Sequence, residues 1–445
     1  MVRVTVSQLP ARRARFLVWF FAALFMGSAS AFGQPTALEL SGGYWFDGHG
    51  FVAKTFYSVD GMLTSARPGH VDSVLDLTGK FVIPPFADAH VHNLNEEGSI
   101  DDDIATDLTD GVFYAMEMDP AIELSSKVLG KVNGPDAVDV IYTHGLVTPS
   151  WGVMPDMYRM LAGMGRFGAR TTLPELDTRE IFLIDDSTDL ERKWPALAAK
   201  NHDFIKVIVA FSEEEALRKN NPQFGAKVPD YSAKPGIAPG VLRALVERAH
   251  RTGLRVAAHI ETAADFRLAV RSGVDIIAHL PASWQIGPKT GFTDGSLGHW
   301  ELTEQDGALA RDKQVVVVTT IVKQPDDPDA SRYREIYRHN LRLLKRHGVR
   351  LVIGTDMRGS AVDEVLYIAS LGVFDNRTLL NMLTRATPEA IFPGRKLGAL
   401  RDGYEASLLA LDSNPINTLD GLRRIAVRVK RGHVIHLAGS ATVTK

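Results

Sequence analysis

GLRVAAHIETAADFRLAVRSGVDIIAHLP, residues 253–281, contains two short apolar segments with an amphipathic segment between them. RVAAH and VDIIAH have the length of buried strands, and each ends in a histidine. The intervening TAADFRLAVRSG is typical of a helix that ends at a glycine. A strand, a helix and a second strand in this order predict a parallel β/α unit.

Six further apolar segments repeat this pattern. With the two above, they make eight strand candidates: FVIPPFADA (81–89), GVFYAMEM (111–118), VDVIYTH (138–144), DFIKVIVAF (203–211), RVAAH (255–259), VDIIAH (274–279), VVVVTT (315–320) and RLVIGTD (350–356). Amphipathic segments separate several of them, which favours a (β/α)8 TIM barrel, an α/β fold, over an open sheet. Residues 148–189, rich in Gly, Met and Pro, are expected to form an irregular insertion that serves as a lid.

Strand-like segments also occur near both ends of the chain. Residues 36–80 and the C-terminal segments SLLALDSNP and IAVRVKRGHVIHLAG alternate in polarity and contain Gly and Asp turns. We expect them to pair into one small β-sandwich domain built from both chain ends, which would bring those ends close together. The predicted domains are therefore 32–80 plus 394–445 for the small β domain and 81–393 for the barrel.

The first 31 residues have the three parts of a secretory signal peptide. Arg12, Arg13 and Arg15 precede the apolar run FLVWFFAALFM, and Ala29-Ser30-Ala31 matches an A-x-A cleavage site. The apolar run is much shorter than the roughly 20 residues that span a bilayer. We therefore expect cleavage after residue 31 and a periplasmic or secreted protein without a membrane span. An uncleaved membrane anchor is the alternative.

Composition narrows the classes of partner and of metal site. The 445 residues carry 50 basic and 53 acidic side chains, a net charge of −3, which gives no support to a nucleic-acid partner. A small-molecule substrate is expected instead. Cysteine is absent, so any metal site must use His, Asp, Glu or Lys.

Polar residues at the predicted strand ends are the candidates for chemistry, because barrel enzymes place their active sites there. His90 and His92 close the first strand, and residues two apart on a strand face the same way. The fourth strand contains Lys206 among apolar neighbours. The alternative is a surface lysine whose aliphatic chain packs on apolar groups while its amine stays in water. Three more candidates end the fifth, sixth and eighth strands: His259, His279 and Asp356.

This order of residues resembles the amidohydrolase superfamily. PPFADAHVH resembles the family's strand-one motif Pro-Gly-x-x-Asp-x-His-x-His, with Pro85 where Gly is usual. Residues 253–281 are similar to its strand five to six segment, and LVIGTD to its strand eight. KLGALRDGYEASLLALDSNPI resembles the C-terminal return into the β domain, although Glu405-Ala406-Ser407 replaces Ala-Asp-Leu. The resemblance is greatest to imidazolonepropionase-like and Xaa-Pro-dipeptidase-like members.

The resemblance implies two divalent metal ions, with Zn²⁺ best suited to imidazole and carboxylate ligands. His90, His92 and Asp356 would hold one ion, and His259 and His279 the other. Lys206 would be N-carboxylated, and its carbamate would bridge the two ions. A metal-activated water would be the nucleophile, with Asp356 as general base. The alternative is an unmodified Lys206 paired with Asp203 or Glu213 beside a single metal.

Three other residues are lesser candidates. Tyr231 would donate to the substrate carbonyl, as a tyrosine near this position does in related peptidases, or else pack on the barrel rim. His144 is either a substrate contact or a polar loop residue. Glu261, two residues after His259, is interpreted as a first-turn helix residue that the helix dipole stabilises.

The predicted function is hydrolysis of an amide, cyclic amide or peptide C–N bond. Two rivals share the scaffold: an ester or lactone hydrolase, and a mononuclear deaminase that has no need of Lys206. A rival of another class is an extracytoplasmic binding protein that has lost catalysis. Fold analogy alone does not choose the substrate.

Overall fold

A computed structural model describes residues 37–118, 124–167, 172–213, 234–283, 297–322, 329–356 and 359–437. The predicted signal peptide, residues 1–31, and Tyr231 lie outside the described residues. None of the described helices has both the length and the apolar character that a bilayer span requires.

Ten parallel strands form the centre of the fold, in two sheets. One sheet has the order β10-β9-β8 and the other β12-β11-β13-β14-β15-β16-β17. The strands are β8 (Phe86–Val91), β9 (Val112–Glu117), β10 (Asp139–Tyr142), β11 (Leu146–Thr148), β12 (Ile181–Leu183), β13 (Phe204–Ile208), β14 (Arg255–His259), β15 (Ile276–Ile277), β16 (Val316–Val318) and β17 (Arg350–Val352). Nearly every residue in them is buried, as expected for parallel strands covered on both faces.

Backbone hydrogen bonds connect the edges of these two sheets. The Ala89 amide donates to the Ile353 carbonyl over 2.9 Å, and the Asp356 amide donates to the His90 carbonyl over 2.9 Å. On the other side, Asp203 directly precedes β13, an inner strand of the larger sheet, and its amide donates to the Tyr142 carbonyl of β10 over 3.0 Å. Alternating strands and helices in this arrangement form a TIM-barrel-like α/β fold, as predicted.

The helix predicted between His259 and Val274 is confirmed, and the helices in general follow the strands. They are α1 (Ile100–Thr109), α2 (Ser126–Leu129), α3 (Val153–Gly163), α4 (Leu173–Leu176), α5 (Ser187–Ala198), α6 (Pro239–Arg251), α7 (Ala263–Arg271), α8 (Glu304–Asp312), α9 (Ala330–His347), α10 (Ala361–Ser370), α11 (Asn376–Asn381) and α12 (Thr387–Ile391), with a π-helical turn Met382–Ala386 and a 3-10 helix Leu419–Arg423. Gly348 ends α9 at φ = +69°, a conformation that glycine adopts without a steric penalty.

The prediction of an irregular insertion at 148–189 is wrong for most of that segment. It contains α3, α4 and the strand β12, which pairs in parallel with β11. Pro155 and Pro174 occupy first-turn helical positions, where proline costs no hydrogen bond because the first amides have no partner within the helix. The Gly and Pro content therefore indicated helix ends, not irregular structure.

Two further sheets are built from strands near the chain ends. N-terminal strands alone form the first, and strands from both ends form the second. One has the order β5-β4-β1-β6 and the other β20-β19-β18-β7-β2-β3. The strands are β1 (Ala37–Ser41), β2 (Tyr44–Phe46), β3 (Phe51–Ala53), β4 (Phe56–Val59), β5 (Met62–Thr64), β6 (Ser73–Asp76), β7 (Phe81–Ile83), β18 (Leu408–Leu411), β19 (Ile425–Lys430) and β20 (His433–Val434). C-terminal β18 pairs antiparallel with β7, and β7 pairs in parallel with N-terminal β2, so strands from both chain ends share one sheet. The exact domain boundaries stay a prediction.

Candidate metal centre

Four strands bring five of the six predicted ligands to one end of the parallel sheets. His90 lies in β8 and His92 directly follows it, while His259 is the last residue of β14. His279 and Asp356 follow β15 and β17 by two and four residues. Lys206 lies in the middle of β13, opposite Ala257, so it sits deeper along the strands than His259.

Three of these residues converge on one point. The Nε2 atoms of His90 and His92 are 3.0 Å apart. Asp356 Oδ1 lies 3.4 Å from His90 Nε2 and 3.2 Å from His92 Nε2. Metal–ligand bonds of about 2.0–2.2 Å at right or tetrahedral angles separate neighbouring ligand atoms by about 2.9–3.5 Å. The three atoms therefore have the spacing of ligands around one cation.

The other two histidines continue this cluster. The ring centroids of His90 and His279 are 4.5 Å apart, and those of His279 and His259 are 4.6 Å apart. All three rings are buried. Four imidazoles and a carboxylate are the ligands that Zn²⁺ and related transition metals prefer, so the donor set fits such ions.

The far nitrogens of the ligand rings have partners that orient them. His90 Nδ1 lies 3.0 Å from the Ala278 carbonyl oxygen, and His279 Nδ1 lies 2.9 Å from Thr320 Oγ1. A carbonyl oxygen only accepts, so His90 Nδ1 carries the proton and Nε2 has the lone pair. This is the usual arrangement around a metal-binding histidine, in which a second group holds the ring.

Glu117 is an acidic neighbour of His92 that was not among the residues predicted for the site. Its Oε1 is 3.8 Å from His92 Nδ1, and its Oε2 accepts from the Leu94 amide over 3.0 Å. The side chain is fully buried. An acid at the end of the apolar segment GVFYAMEM was a signal in the sequence, because it too ends a barrel strand.

The charges in the cluster interact strongly. Burial lowers the pKa of His90, and the positive charge of Lys206 lowers it further. Burial, with His90 and His259 nearby, also lowers the pKa of His279. Burial opposes protonation of His92, but Asp356 and Glu117 outweigh it and raise the pKa of His92 to about 9. A bound metal would take the place of that proton.

Asp356 is an ionised carboxylate in this setting. Burial alone would raise its pKa, but the imidazoles of His90 and His92 hold the pKa well below the usual range. Its backbone has φ = +52°, an uncommon conformation for a residue with a side chain. Both features are typical of a functional position.

Asp88 holds the backbone of two segments that carry predicted ligands, one at His90 and the other next to Asp356. Its Oδ1 accepts from the His90 amide over 2.9 Å and from the Thr355 amide over 3.1 Å, and its Oδ2 accepts from Thr355 Oγ1 over 2.7 Å. Burial raises the pKa of Asp88 to about 7, although these hydrogen bonds oppose that shift. The aspartate of the strand-one motif thus connects β8 to the segment that carries Asp356.

Lys206 is 3% exposed and lies between neighbours that are also buried. Its backbone amide donates to Thr143 Oγ1 over 3.3 Å. Asp203, one of the acids considered as its partner, is exposed and instead accepts from the Tyr142 amide over 2.8 Å. The positive charge of Lys206 lowers the pKa of His90, so the two side chains interact electrostatically.

The lesser candidates have different outcomes. His144 lies against His202, whose Nδ1 accepts from the His144 amide over 2.8 Å, and the two rings are 5.7 Å apart. Its predicted role in substrate binding stays a prediction. The interpretation of Glu261 is wrong: α7 begins at Ala263 with Thr262 as its N-cap, so Glu261 precedes the helix.

The chain is similar to known proteins in sequence and in structure. Residues 190–437 match the model of the amidohydrolase family. Ochratoxinase of Aspergillus niger is 22% identical over 302 residues, which are 65% of this chain and 57% of that protein. The alignment thus spans less than two thirds of the length of this relative.

Solved structures resemble the chain over most of its length. The crystal structure of A. niger ochratoxinase has a TM-score of 0.68 at 16% identity and covers 92% of this chain and 97% of the other. A Xaa-Pro dipeptidase with methionine bound in its active site has a TM-score of 0.68 at 15% identity, over 90% and 100%. Molinate hydrolase has a TM-score of 0.68 at 16% identity, over 92% and 96%. The TM-scores of 0.68 show that these proteins share a common fold with the chain.

Proposed function

The chain belongs to the amidohydrolase family, and from this membership we propose that it is a binuclear metal-dependent hydrolase of C–N bonds in small amides, cyclic amides or peptides. The observation that carries the proposal is the convergence of His90, His92 and Asp356, with ligand atoms 3.0–3.4 Å apart. His259 and His279 would complete the second metal position. Zn²⁺ is the ion that this donor set favours.

Two bound divalent ions would lower the pKa of a water molecule and polarise the scissile carbonyl. Asp356, with its low pKa, would accept the proton of the attacking water and pass it to the leaving nitrogen. His90, His259 and His279 are buried, and electrostatic interactions are stronger in such surroundings than in water.

Lys206 is proposed to carry a carbamate. Its neutral amine would form an N–C bond to carbon dioxide and release a proton, which converts a cation into an anionic oxygen ligand. Its burial favours the neutral amine that reacts, and nearby metal ions would favour the anionic product. The carbamate would then bridge the two metal positions.

We also propose how the four sheets are arranged. The three-stranded and seven-stranded parallel sheets would close into one (β/α)8 barrel, with β10 and β11 as a single bent strand, and the two outer sheets would form a β-sandwich. The hydrogen bonds between β8 and the residues after β17, and between β10 and Asp203 before β13, support closure. A separate apolar core supports the sandwich, with Leu40, Trp45, Leu63 and Leu408 among its members.

We also propose export, because the N-terminal sequence has the form of a signal peptide. Expression in a Gram-negative host, followed by N-terminal sequencing, should find the mature chain in the periplasm, beginning close to residue 32. A chain that starts at Met1 and stays in the cytosol would contradict export.

Turnover by metal-loaded protein tests the reaction class. A panel of N-acyl amino acids, Xaa-Pro and other dipeptides, and lactones should show hydrolysis of the C–N substrates. The matched control is His90→Ala with His92→Ala, which should lose both metal and turnover. Hydrolysis of lactones alone would favour an ester or lactone hydrolase. Metal binding without any turnover would favour a binding protein.

One observation favours a mononuclear deaminase as the second candidate. Within the described ranges, only His90, His92 and Asp356 form a group of three or more His, Asp or Glu ligand atoms within 4.8 Å of one another. Elemental analysis distinguishes the two, since the binuclear proposal requires about two ions per chain. One ion per chain, with release of ammonia from an aminated heterocycle, would favour the deaminase.

A further inference from the structure

A cavity of about 180 Å³ lies beside the starts of the parallel strands, whereas the metal ligands lie at their ends. Pro84 lines the cavity and comes two residues before β8, while His90 lies near the other end of that strand. Arg385 also lines it, and the carbonyl of the next residue, Ala386, accepts over 3.0 Å from Arg350, the first residue of β17. The cavity is therefore separate from the candidate metal centre.

Three cationic side chains from different parts of the fold line this cavity. Lys54 follows β3, Arg385 lies in the π-helical turn, and Arg401 precedes β18. Within the described part of the chain, Lys54 has no carboxylate within 4.0 Å, and Arg401 contacts only the Tyr404 hydroxyl and ring. Arg385 pairs with Glu389 at 3.2 Å on the exposed surface. Cations gathered around one cavity produce a positive potential that attracts an anion.

Asp47 is the one acid among the described residues that line this cavity, and its own turn engages it. Asp47 Oδ1 accepts from the amides of His49 and Gly50, over 2.9 Å each. These two hydrogen bonds lower the pKa of Asp47, so the carboxylate is ionised at neutral pH. It forms no ion pair with the three cations, and the lining keeps an excess of positive charge.

Backbone amides beside the cavity are also available as donors. The amides of Gly398, Ala399 and Leu400 line it and donate to no other described residue, although Leu400 is only 7% exposed. Buried amides nearly always have a partner, which can be a bound molecule. Gly398 has φ = +75°, and a Cβ there would lie 2.7 Å from the Arg385 Cα. Glycine therefore allows this segment to pack against the π-helical turn.

A second cavity, of about 450 Å³, adjoins the first. Both are lined by Lys54 and Arg401. Phe56 gives the second cavity an apolar wall. Its one acid among the described residues, Asp402, accepts from the amide and the hydroxyl of Ser65, over 2.8 Å each. The second cavity thus offers room for the uncharged part of a ligand whose anionic group occupies the first.

We propose that the first cavity binds the phosphate group of a small phosphate ester and that the second holds its organic part. A phosphate monoester carries three strong acceptor oxygens and nearly two negative charges. Arginine matches phosphate oxygens bidentately, lysine adds a compact charge, and successive backbone amides form anion-binding concavities. The proposal does not depend on the metal-dependent function. A ligand bound here would stabilise the fold by mass action.

Calorimetric titration of metal-loaded protein with inorganic phosphate and with phenyl phosphate, at constant ionic strength, tests the site. Lys54→Gln and Arg401→Gln should each raise the Kd by roughly 10-fold, the effect of losing one charge-assisted hydrogen bond. Lys313→Gln and Arg251→Gln are matched controls, because they remove the same charges from exposed positions outside both cavities. The controls should bind like the wild type.

Tighter binding of phenyl phosphate than of inorganic phosphate would support occupation of both cavities, and equal binding would support a site for the phosphate group alone. Lys54 makes no hydrogen bond within the described residues, so Lys54→Gln keeps the test decisive if Arg401→Gln does not fold.

Binding to the candidate metal centre is the competing explanation, and His90→Ala with His92→Ala separates the two. This variant should still bind phosphate. Three results would overturn the proposal: wild-type protein that binds neither probe, equal Kd values in the cavity variants and the controls, or binding that is lost in the histidine variant and kept in Lys54→Gln.

Discussion

Asp356 has an unusual backbone conformation that two neighbours hold in place. At φ = +52° its amide donates to the His90 carbonyl, and the preceding Thr355 is held by Asp88. A residue other than glycine in this region costs of order 1 kcal/mol or more, and the surrounding hydrogen bonds maintain it. The result is a carboxylate directed at His90 and His92.

Replacing Asp356 should separate binding from catalysis. Asp356→Asn keeps the shape and one ligand oxygen but cannot accept a proton, so kcat should fall by about 10²–10⁴. Elemental analysis should still find much of the metal, and circular dichroism should find the fold unchanged. Near wild-type kcat in this variant would refute the role of general base.

Lys206 should link carbon dioxide to metal loading. Lys206→Ala should lose most activity, and a short carboxylate such as acetate should restore part of it by taking the place of the carbamate. Apo protein reconstituted with metal in bicarbonate should regain more activity than protein reconstituted in buffer free of carbon dioxide.

The rival for Lys206 is an unmodified amine beside one metal. Unbiased electron density that shows a bare Nζ in a fully metallated crystal would decide for that rival. Equal reactivation with and without bicarbonate would point the same way. Both results would favour a mononuclear deaminase as the function of the chain.

At the level of elements, helix α7 is joined to the loop after β13 by one side chain. The carboxylate of Asp265 accepts from four backbone amides: Phe211, Ser212, Glu261 and Thr262. It is fully buried, and its own amide completes the cap by donating to Thr262 Oγ1 over 3.2 Å. This single residue therefore sets the position of the segment that carries Glu261.

Asp265→Asn should destabilise the protein more than a comparable change in another helix cap. The amide side chain cannot accept all four hydrogen bonds, and leaving buried amides without partners costs about 2–4 kcal/mol of unfolding free energy. Asp363→Asn is the control, since Asp363 caps α10 but is 39% exposed, and its loss should cost about 1 kcal/mol. Urea denaturation compares the two, and equal losses would contradict the argument.

Across the whole molecule, a buried ion cluster connects the C-terminal strands to the barrel. Asp139, at the start of β10, contacts Lys430 at 2.7 Å, Arg395 at 2.7 Å and Arg431 at 2.6 Å. Asp139 and Lys430 are both fully buried. The contact joins residues nearly 300 positions apart, so it forms only when the outer sheet packs on the parallel sheets.

Asp139→Asn should leave these cations without their shared anion. Removing one partner of a buried ion pair typically costs about 3–5 kcal/mol, and we expect a loss of that size in the unfolding free energy. Arg67→Gln, which breaks the exposed pair with Glu39 at 3.9 Å, should change it by less than about 1 kcal/mol. A loss below about 1 kcal/mol in Asp139→Asn would show that the cluster does not stabilise the packing.

Much of the candidate site could be predicted from the sequence because its signals are local. Strand-end histidines, the His-x-His spacing and the alternation of apolar and amphipathic segments are properties of a few neighbouring residues. The insertion at 148–189 was mispredicted because Gly and Pro mark helix ends as well as loops, and composition does not distinguish the two.

The sequence by itself determined the fold class and the four histidines and one aspartate that come close together at the strand ends. Only the tertiary structure decided what holds those residues. Thr320 reaches His279, Glu117 reaches His92 and the Ala278 carbonyl reaches His90 because parallel strands are in a particular register. Such contacts join residues from different strands, and no local pattern encodes the register, since it depends on how the whole sheet packs.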